Sequence, residues 1–98
     1  FRAWGGIASL EVGLSVVHTE ARARGLAPDE ALLAISRWMS AAPARLAGLS
    51  ARKGAIEVGR DADLVLFDPE ERWAPDAARL RHRHKVTPYA GRPLTGKV

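Results

Sequence analysis

The chain has 98 residues, less than half of the roughly 250 that a closed eight-stranded α/β barrel needs, so a complete barrel is excluded. Its composition, 47% hydrophobic and 27% charged, excludes wholesale disorder, and the absence of cysteine excludes disulfide frameworks, thiolate zinc sites and cysteine nucleophiles. The formal net charge of +4 comes from residues 71–98, where seven Lys or Arg stand against two Asp or Glu.

The first half of the chain has the apolar periodicity of helices. The predicted elements are an opening loop at residues 1–6 and helices at residues 7–24, from Pro28 onward, and at residues 43–46. The wide apolar surface of the first helix favours packing against a larger body. The predicted inward-facing residues are Leu10, Leu14, Val17 and Ala21 on the first helix, and Leu32, Ile35 and Met39 on the second.

The periodicity changes to that of strands after Ala51. The predicted elements are an alternating strand at residues 55–58, a turn at 59–61, an apolar strand at 62–67 and shorter strands at 72–74 and 93–98. Helices followed by strands indicate two structural layers. We therefore divide the chain into residues 1–50 and 51–98, with the seam at residues 50–54.

A basic block at residues 79–85 contains His82 and His84. Such a block can bind nucleic acid or another acidic partner, but it lacks the interleaved aromatic residues that base stacking needs, which favours a solvated surface or one side of an interface. Two histidines at i and i+2 could ligate a metal from one face of a strand. Because the neighbouring arginines would oppose cation binding, we interpret both as structural or surface residues.

Two other polar positions invite a functional interpretation. His18 shares a side of the first helix with Glu11 and Arg22, so we interpret it as a histidine on the polar face. Asp61 and Asp63 could form a carboxylate pair, but their place beside a glycine turn favours turn and cap roles, with Asp63 anchoring the local backbone.

Several motifs resemble one enzyme superfamily. Its C-terminal signature resembles the run Lys53-Gly54-x-Ile56-x-x-Gly59-x-Asp61-Ala62-Asp63-Leu64-Val65-x-x-Asp68, and the short helix before that signature resembles Ala42-Pro43-Ala44-x-Leu46-x-Gly48-Leu49. By these residues the chain resembles the amidohydrolase superfamily. Phe1-Arg2-Ala3-Trp4-Gly5-Gly6-Ile7 and His82-Arg83-His84-Lys85-Val86-Thr87-Pro88-Tyr89, with Gly91-Arg92, are similar to segments of allantoinases within it.

The resemblance implies an α/β fold in which the chain is the C-terminal end of a TIM-like (β/α)8 hydrolase barrel, followed by strands of a small β-sandwich. It implies hydrolysis of the cyclic amide of allantoin to allantoate, in purine catabolism, with zinc or another divalent metal. The family's metal ligands and catalytic aspartate lie upstream of Phe1, so the resemblance places no catalytic or metal-binding residue here, and Lys53, in the linker, is not the family's carbamylated lysine. It further implies a cytoplasmic homotetramer with a small cyclic ureide substrate and no nucleic-acid or membrane partner.

The resemblance leaves one substrate-binding segment in this chain, the opening loop. In related enzymes, backbone groups of the loop after the last barrel strand bind the ring amide and carbonyl of the substrate, at the end of the barrel where active sites form. Glycines allow close backbone approach, and N–H and C=O groups match a cyclic ureide. The expected substrate-binding residues are Ala3, Trp4, Gly5 and Gly6; alternatively, Trp4 only packs and the glycines only turn.

Two alternatives to an allantoinase remain open at this point. One is a dihydroorotase or hydantoinase, and the other is a stand-alone interaction module whose basic end binds an acidic partner, with salt-sensitive affinity. As a piece of a longer enzyme, the chain alone is expected to be inactive. Because cutting it from a barrel would leave apolar surface exposed, we also expect it to be poorly soluble or oligomeric.

Overall fold

Three α-helices occupy the first half of the chain in the computed structural model, which describes residues 6–98. They are α1 at Gly13–Ala23, α2 at Pro28–Ser36 and α3 at Ala42–Leu46, and a π-helical turn at Arg37–Ala41 joins α2 to α3. The helical prediction is confirmed, including the start at Pro28. The first helix, however, begins at Gly13 rather than at residue 7.

Contacts with the far end of the chain explain the late start of α1. In a longer helix the carbonyl of Ala8 would accept the N–H of Val12. Here the Ala8 carbonyl accepts the hydroxyl of Thr87 at 2.7 Å, and the Val12 N–H turns to the carbonyl of Ser9 at 3.1 Å. A tertiary hydrogen bond has therefore replaced a helical one.

The start of α2 and the π-helical turn after it follow from two prolines. Pro28 occupies the first helical position, and the Glu30 carboxylate accepts the N–H of Ala27 at 3.0 Å, which satisfies one of the donors that a helix start leaves unpaired. Pro43 has no N–H for the carbonyl of Met39, so the regular bonding pattern is interrupted there. The helix widens in the turn that precedes Pro43.

The buried face of α1 differs from the predicted one. Leu10, predicted to face inward, is exposed, whereas Ala21 is buried as predicted. The buried residues of α1 are Ser15, His18 and Ala21. The second strand packs against this face, and its backbone supplies a hydrogen-bond partner to His18. On the second helix Ile35 is buried as predicted, but Met39 is exposed on the π-helical turn.

A two-stranded antiparallel sheet ends the chain. Strand β1 spans Asp68–Trp73 and strand β2 spans Leu94–Lys97, which confirms the strand predicted at residues 93–98. The pairs Arg72 with Thr95 and Trp73 with Leu94 set the register, and an irregularity lies between Asp68 and Arg72. The indole Nε1 of Trp73 donates to the carbonyl of Gly96 at 2.8 Å, which adds a side-chain bond across the sheet.

The strands predicted at residues 55–58 and 62–67 were wrong for this structure, since both segments are irregular. Apart from Phe67, their large apolar side chains lie in solvent: Ile56 is 88% exposed and Leu66 is 90% exposed. A strand needs a neighbour for its backbone N–H and C=O groups, and residues 6–98 supply none to these two segments.

The core is small and the chain is open. Val12 from the start of α1, Leu80 and Leu94 of β2 form its centre, and Val16, Trp73 and Tyr89 pack around them. The radius of gyration is 15.1 Å, against about 13 Å for a compact domain of 100 residues. Among the described helices, none combines the length and apolar character that crossing a membrane requires.

Candidate functional site

The predicted substrate-binding loop lies at the edge of the described structure. Ala3, Trp4 and Gly5 fall outside residues 6–98, and only Gly6 is described. Gly6 is exposed, and a Cβ placed on it would meet no described atom within 4 Å. The packing of the described residues therefore does not require glycine at this position, and the role of the loop stays a prediction.

The segment that directly follows the loop is held by the C-terminal region. The hydroxyl of Thr87 donates to the Ala8 carbonyl at 2.7 Å, and the Glu11 carboxylate accepts the backbone N–H of Arg81 at 2.7 Å. Val12 packs in the core beside Leu80. Residues 8–12 are thus fixed at both ends by residues about 70 to 79 positions away.

Sequence patterns did not reveal Thr87 and Glu11. Glu11 has the helical spacing of a polar-face residue, and Thr87 stands before a proline in a segment without periodicity. Their partners are a carbonyl and an N–H of the main chain, groups that every residue offers except proline, which lacks the N–H. The resemblance to allantoinases at residues 82–89 was the available signal, since it marked this segment without giving it a role.

The basic block forms an irregular loop rather than a strand. The ammonium group of Lys85 donates to the carbonyl of Leu80, whose side chain is buried in the core. His84 is exposed. The Nε2 atom of His82 is buried and has no hydrogen-bond partner among residues 6–98. The block therefore folds against its own chain as a basic surface loop.

The described residues do not fit a metal centre. Within residues 6–98, no group of three or more His, Asp or Glu side chains could hold a metal ion. His82 and His84 alternate with Arg81, Arg83 and Lys85, whose positive charge opposes a cation.

His18, interpreted from the sequence as a histidine on the polar face of the first helix, is buried. Its Nδ1 atom lies 3.0 Å from the carbonyl of Thr95, and since a carbonyl only accepts, Nδ1 carries the proton. The ring packs edge-on to Phe67 with centroids 5.2 Å apart. The hydroxyl oxygen of Thr19, one residue on, accepts the N–H of Thr95 at 2.8 Å. The hydroxyl proton faces two carbonyls, that of Ser15 at 2.7 Å and that of Thr95 at 3.2 Å. The polar face of α1 is therefore bonded to β2.

Lys53 bridges the two carboxylates that were candidates for a pair. Its Nζ atom lies 3.1 Å from Asp61 Oδ2 and also contacts Asp63, and Arg52 pairs with Asp61 at 3.0 Å. The hydrogen bond of Lys53 with Asp63, followed by that with Asp61, raises the pKa of Lys53 above its usual range. The hydrogen bond from Lys53, ahead of that from Arg52, lowers the pKa of Asp61.

This ion-pair cluster is structural. It ties the residues after Gly59 back to the linker, where the backbone N–H of Asp61 also donates to the Arg52 carbonyl at 2.9 Å. The cap role predicted for Asp63 was wrong, because its carboxylate bonds to the Lys53 side chain rather than to the backbone. A lysine that is charged and paired with carboxylates is a poor nucleophile.

The chain is similar to known proteins along almost its full length. A model of the amidohydrolase family matches residues 8–91. An allantoinase of Streptomyces avermitilis is 52% identical over 98% of this chain and 20% of its own length. A probable allantoinase 2 of Dictyostelium discoideum is 43% identical over 99% of this chain and 18% of its own length.

A plant relative extends this similarity. An allantoinase of Arabidopsis thaliana is 37% identical over 99% of this chain and 19% of its own length. The chain spans about a fifth of the length of these curated relatives. The family match covers most of the chain, the signature at residues 53–68 lies inside the matched range, and the chain therefore belongs to the amidohydrolase family.

Proposed function

We propose that the chain is part of a metal-dependent hydrolase that opens the hydantoin ring of allantoin to give allantoate, in purine catabolism. The observation that carries the proposal is the similarity of 98–99% of the chain to proteins named allantoinase. In this reaction water adds across a ring amide: a C–O bond forms, the C–N bond breaks, and a proton passes to the released nitrogen. The chain alone is proposed to be inactive.

The contribution of this chain to the reaction is substrate binding. The main chain of the opening loop, residues 3–6, offers N–H donors and C=O acceptors to the ring, as a cyclic ureide requires. The exposed position of Gly6, free of described neighbours, is compatible with that role. Zinc or another divalent metal is proposed to be held by the rest of the enzyme.

The architecture proposed for the complete protein is a TIM-like barrel beside a small β-sandwich. Residues 55–58 and 62–67 carry the strand pattern, exposed apolar side chains and no pairing among the described residues, as expected of sandwich strands whose neighbours belong to the rest of the protein. The exposed Leu10 and Leu33 are in turn available to pack against a barrel.

A substrate panel tests the function. The complete protein is assayed with allantoin, dihydroorotate and hydantoin side by side, with and without a metal chelator, and the 98-residue chain is the control. We expect hydrolysis of allantoin by the complete protein, loss of activity with the chelator, and no activity in the control. If the complete protein hydrolyses dihydroorotate or hydantoin in preference to allantoin, the proposed substrate is wrong.

A binding measurement tests the alternative of an interaction module. Salt-sensitive binding of nucleic acid by a complete protein without hydrolase activity would support the interaction module instead.

The proposed assembly is a homotetramer in the cytoplasm, and light scattering of the complete protein measures its mass. A mass of one subunit would contradict the assembly.

A further inference from the structure

We propose that Thr87 and Glu11 are positioning residues for the opening loop: they fix residues 8–12 against the C-terminal region, and through Ala8 they confine the backbone of Gly6, the described end of the loop. This inference rests on the proposed function, because it gives the substrate loop its support. Neither side chain is proposed to touch the substrate.

Thr87 is the more buried of the two contacts. Its side chain is buried, with the residue 6% exposed, and the hydroxyl donates to the Ala8 carbonyl at 2.7 Å. The same oxygen accepts the N–H of Tyr89 at 3.4 Å, and Tyr89 packs against the core. The hydroxyl therefore links Ala8 to a segment that the core holds in place.

Glu11 fixes the other end of the segment. Its carboxylate accepts the backbone N–H of Arg81 at 2.7 Å, a charge-assisted bond that is stronger than a neutral one. Leu80, the neighbour of Arg81, is buried against Val12. Hydrogen bonds at Ala8 and Glu11 and the packing of Val12 thus immobilise five consecutive residues.

The short distance along the chain passes this restraint to the loop. Gly6 precedes Ala8 by two residues, which span at most about 7 Å, so a fixed Ala8 confines the backbone of Gly6. Gly6 has no side chain that could hold its backbone in place, and glycine has the widest choice of backbone conformations. A loop that binds through its main chain needs such outside support, because small displacements in a site cost large factors in rate.

The test removes one hydroxyl and keeps the shape. In the complete protein, Thr87→Val deletes the donor to Ala8, and Thr87→Ser restores it. Thr19→Val is the matched control, because Thr19 also bonds the main chain of another element, at Thr95, but not the segment that follows the loop. The readouts are KM and kcat on the cyclic amide that the wild type hydrolyses, and the amide hydrogen exchange of residues 4–8.

We expect Thr87→Val to raise KM by roughly five- to tenfold, with a smaller change in kcat, and to speed exchange at residues 4–8 by a similar factor. Thr87→Ser should return both to near wild type. Thr19→Val should lower the melting temperature and leave KM and this exchange within about twofold. Unchanged KM and exchange in Thr87→Val, or the same changes in Thr19→Val, would overturn the inference.

The two readouts separate this inference from the proposed function. A complete protein that hydrolyses no cyclic amide would overturn the proposed function and, with it, the positioning of a substrate loop; exchange would then measure only whether Thr87 holds residues 4–8. A protein that hydrolyses allantoin normally after Thr87→Val would overturn the positioning role alone.

Discussion

Gly96 lies where β2 meets His18 and Phe67. Its φ is +92°, and an added Cβ would lie 2.2 Å from Phe67 Cζ and 3.0 Å from His18 Nδ1. Gly96→Ala therefore combines an unfavourable left-handed backbone with a steric clash. We expect it to destabilise the complete protein by roughly 2–4 kcal/mol in urea unfolding.

Gly25 provides the control for this prediction. Its φ is also +92°, but a Cβ there meets nothing within 4 Å. Gly25→Ala should incur only the backbone cost of about 1–2 kcal/mol. Equal destabilisation by the two variants would show that the contact with Phe67 and His18 is unimportant.

A substitution at Gly6 should affect the activity but not the stability of the complete protein. An added Cβ at Gly6 meets no described atom within 4 Å, so Gly6→Ala should leave the stability within about 0.5 kcal/mol. If the Gly6 backbone approaches the substrate, the same methyl group should lower kcat/KM for allantoin by roughly tenfold or more. Full activity in this variant would remove Gly6 from the proposed site.

Lys53 gives the linker a pH-dependent stability. In the folded protein the pKa of Asp61 lies below its usual 3.8. The ionised carboxylate therefore stabilises the fold above pH 3.8, and this contribution is lost as the pH falls through the pKa of the folded state. The pKa of Lys53 in the folded protein lies above its usual 10.5. The charged ammonium group therefore stabilises the fold below pH 10.5, and this contribution is lost as the pH rises through the pKa of the folded state.

Removing Lys53 tests this coupling. Lys53→Met should raise the pKa of Asp61 toward 3.8, because the largest cause of its depression is gone. The pKa is measured by NMR titration of the Asp61 carboxyl carbon. Arg24→Met, which removes the exposed pair with Glu20, is the control and should leave Asp61 unchanged. An unshifted Asp61 in Lys53→Met would contradict the ion-pair assignment.

At the scale of elements, local signals predicted some features and tertiary contacts decided others. Pro28 with its acidic neighbours predicted the start of α2, because helix starts depend on the nearest few residues. The start and buried face of α1 depend on Thr87 and Thr95, about 80 positions away, and no periodicity encodes those partners. Residues 62–67 have a strand pattern, but pairing requires a neighbour that the pattern cannot supply.

The strand pattern at residues 62–67 leads to a testable difference. In the complete protein, where the proposed sandwich supplies neighbours, the amides of residues 62–67 should exchange with solvent as slowly as those of β2. Paired amides are protected because exchange requires the strand to open. Hydrogen exchange with mass spectrometry measures both segments together, and rapid exchange at residues 62–67 beside a protected β2 would contradict the sandwich.

At the scale of the molecule, the core is too small for the apolar surface that the chain carries. The core centres on Val12, Leu80 and Leu94, whereas the exposed apolar residues include Leu33, Leu46, Ile56, Leu64, Val65 and Leu66. Surface of this kind drives association. We expect the isolated chain to be poorly soluble or oligomeric in size-exclusion chromatography with light scattering. A monodisperse, cooperatively folding monomer would contradict this.

The candidate site was predictable to the extent that it is local in sequence. The residues that resemble allantoinases predicted a substrate-binding loop at residues 3–6, because a contiguous motif can be recognised in the sequence alone. This assignment stays a prediction. Its supports, Thr87 and Glu11, bond to main-chain atoms and lie far from it along the chain, so their role required the fold.

The hydrogen bond between Thr87 and Ala8 also sets an order of events during protein synthesis. Residue 8 leaves the ribosome before its partner, which is made 79 residues later. The opening loop therefore lacks this support until nearly all of this segment has been translated. A stop codon shortly before Thr87 would remove β2 and the core residue Leu94 together with Thr87, so residues 8–12 would lose this hydrogen bond and part of their packing at the same time.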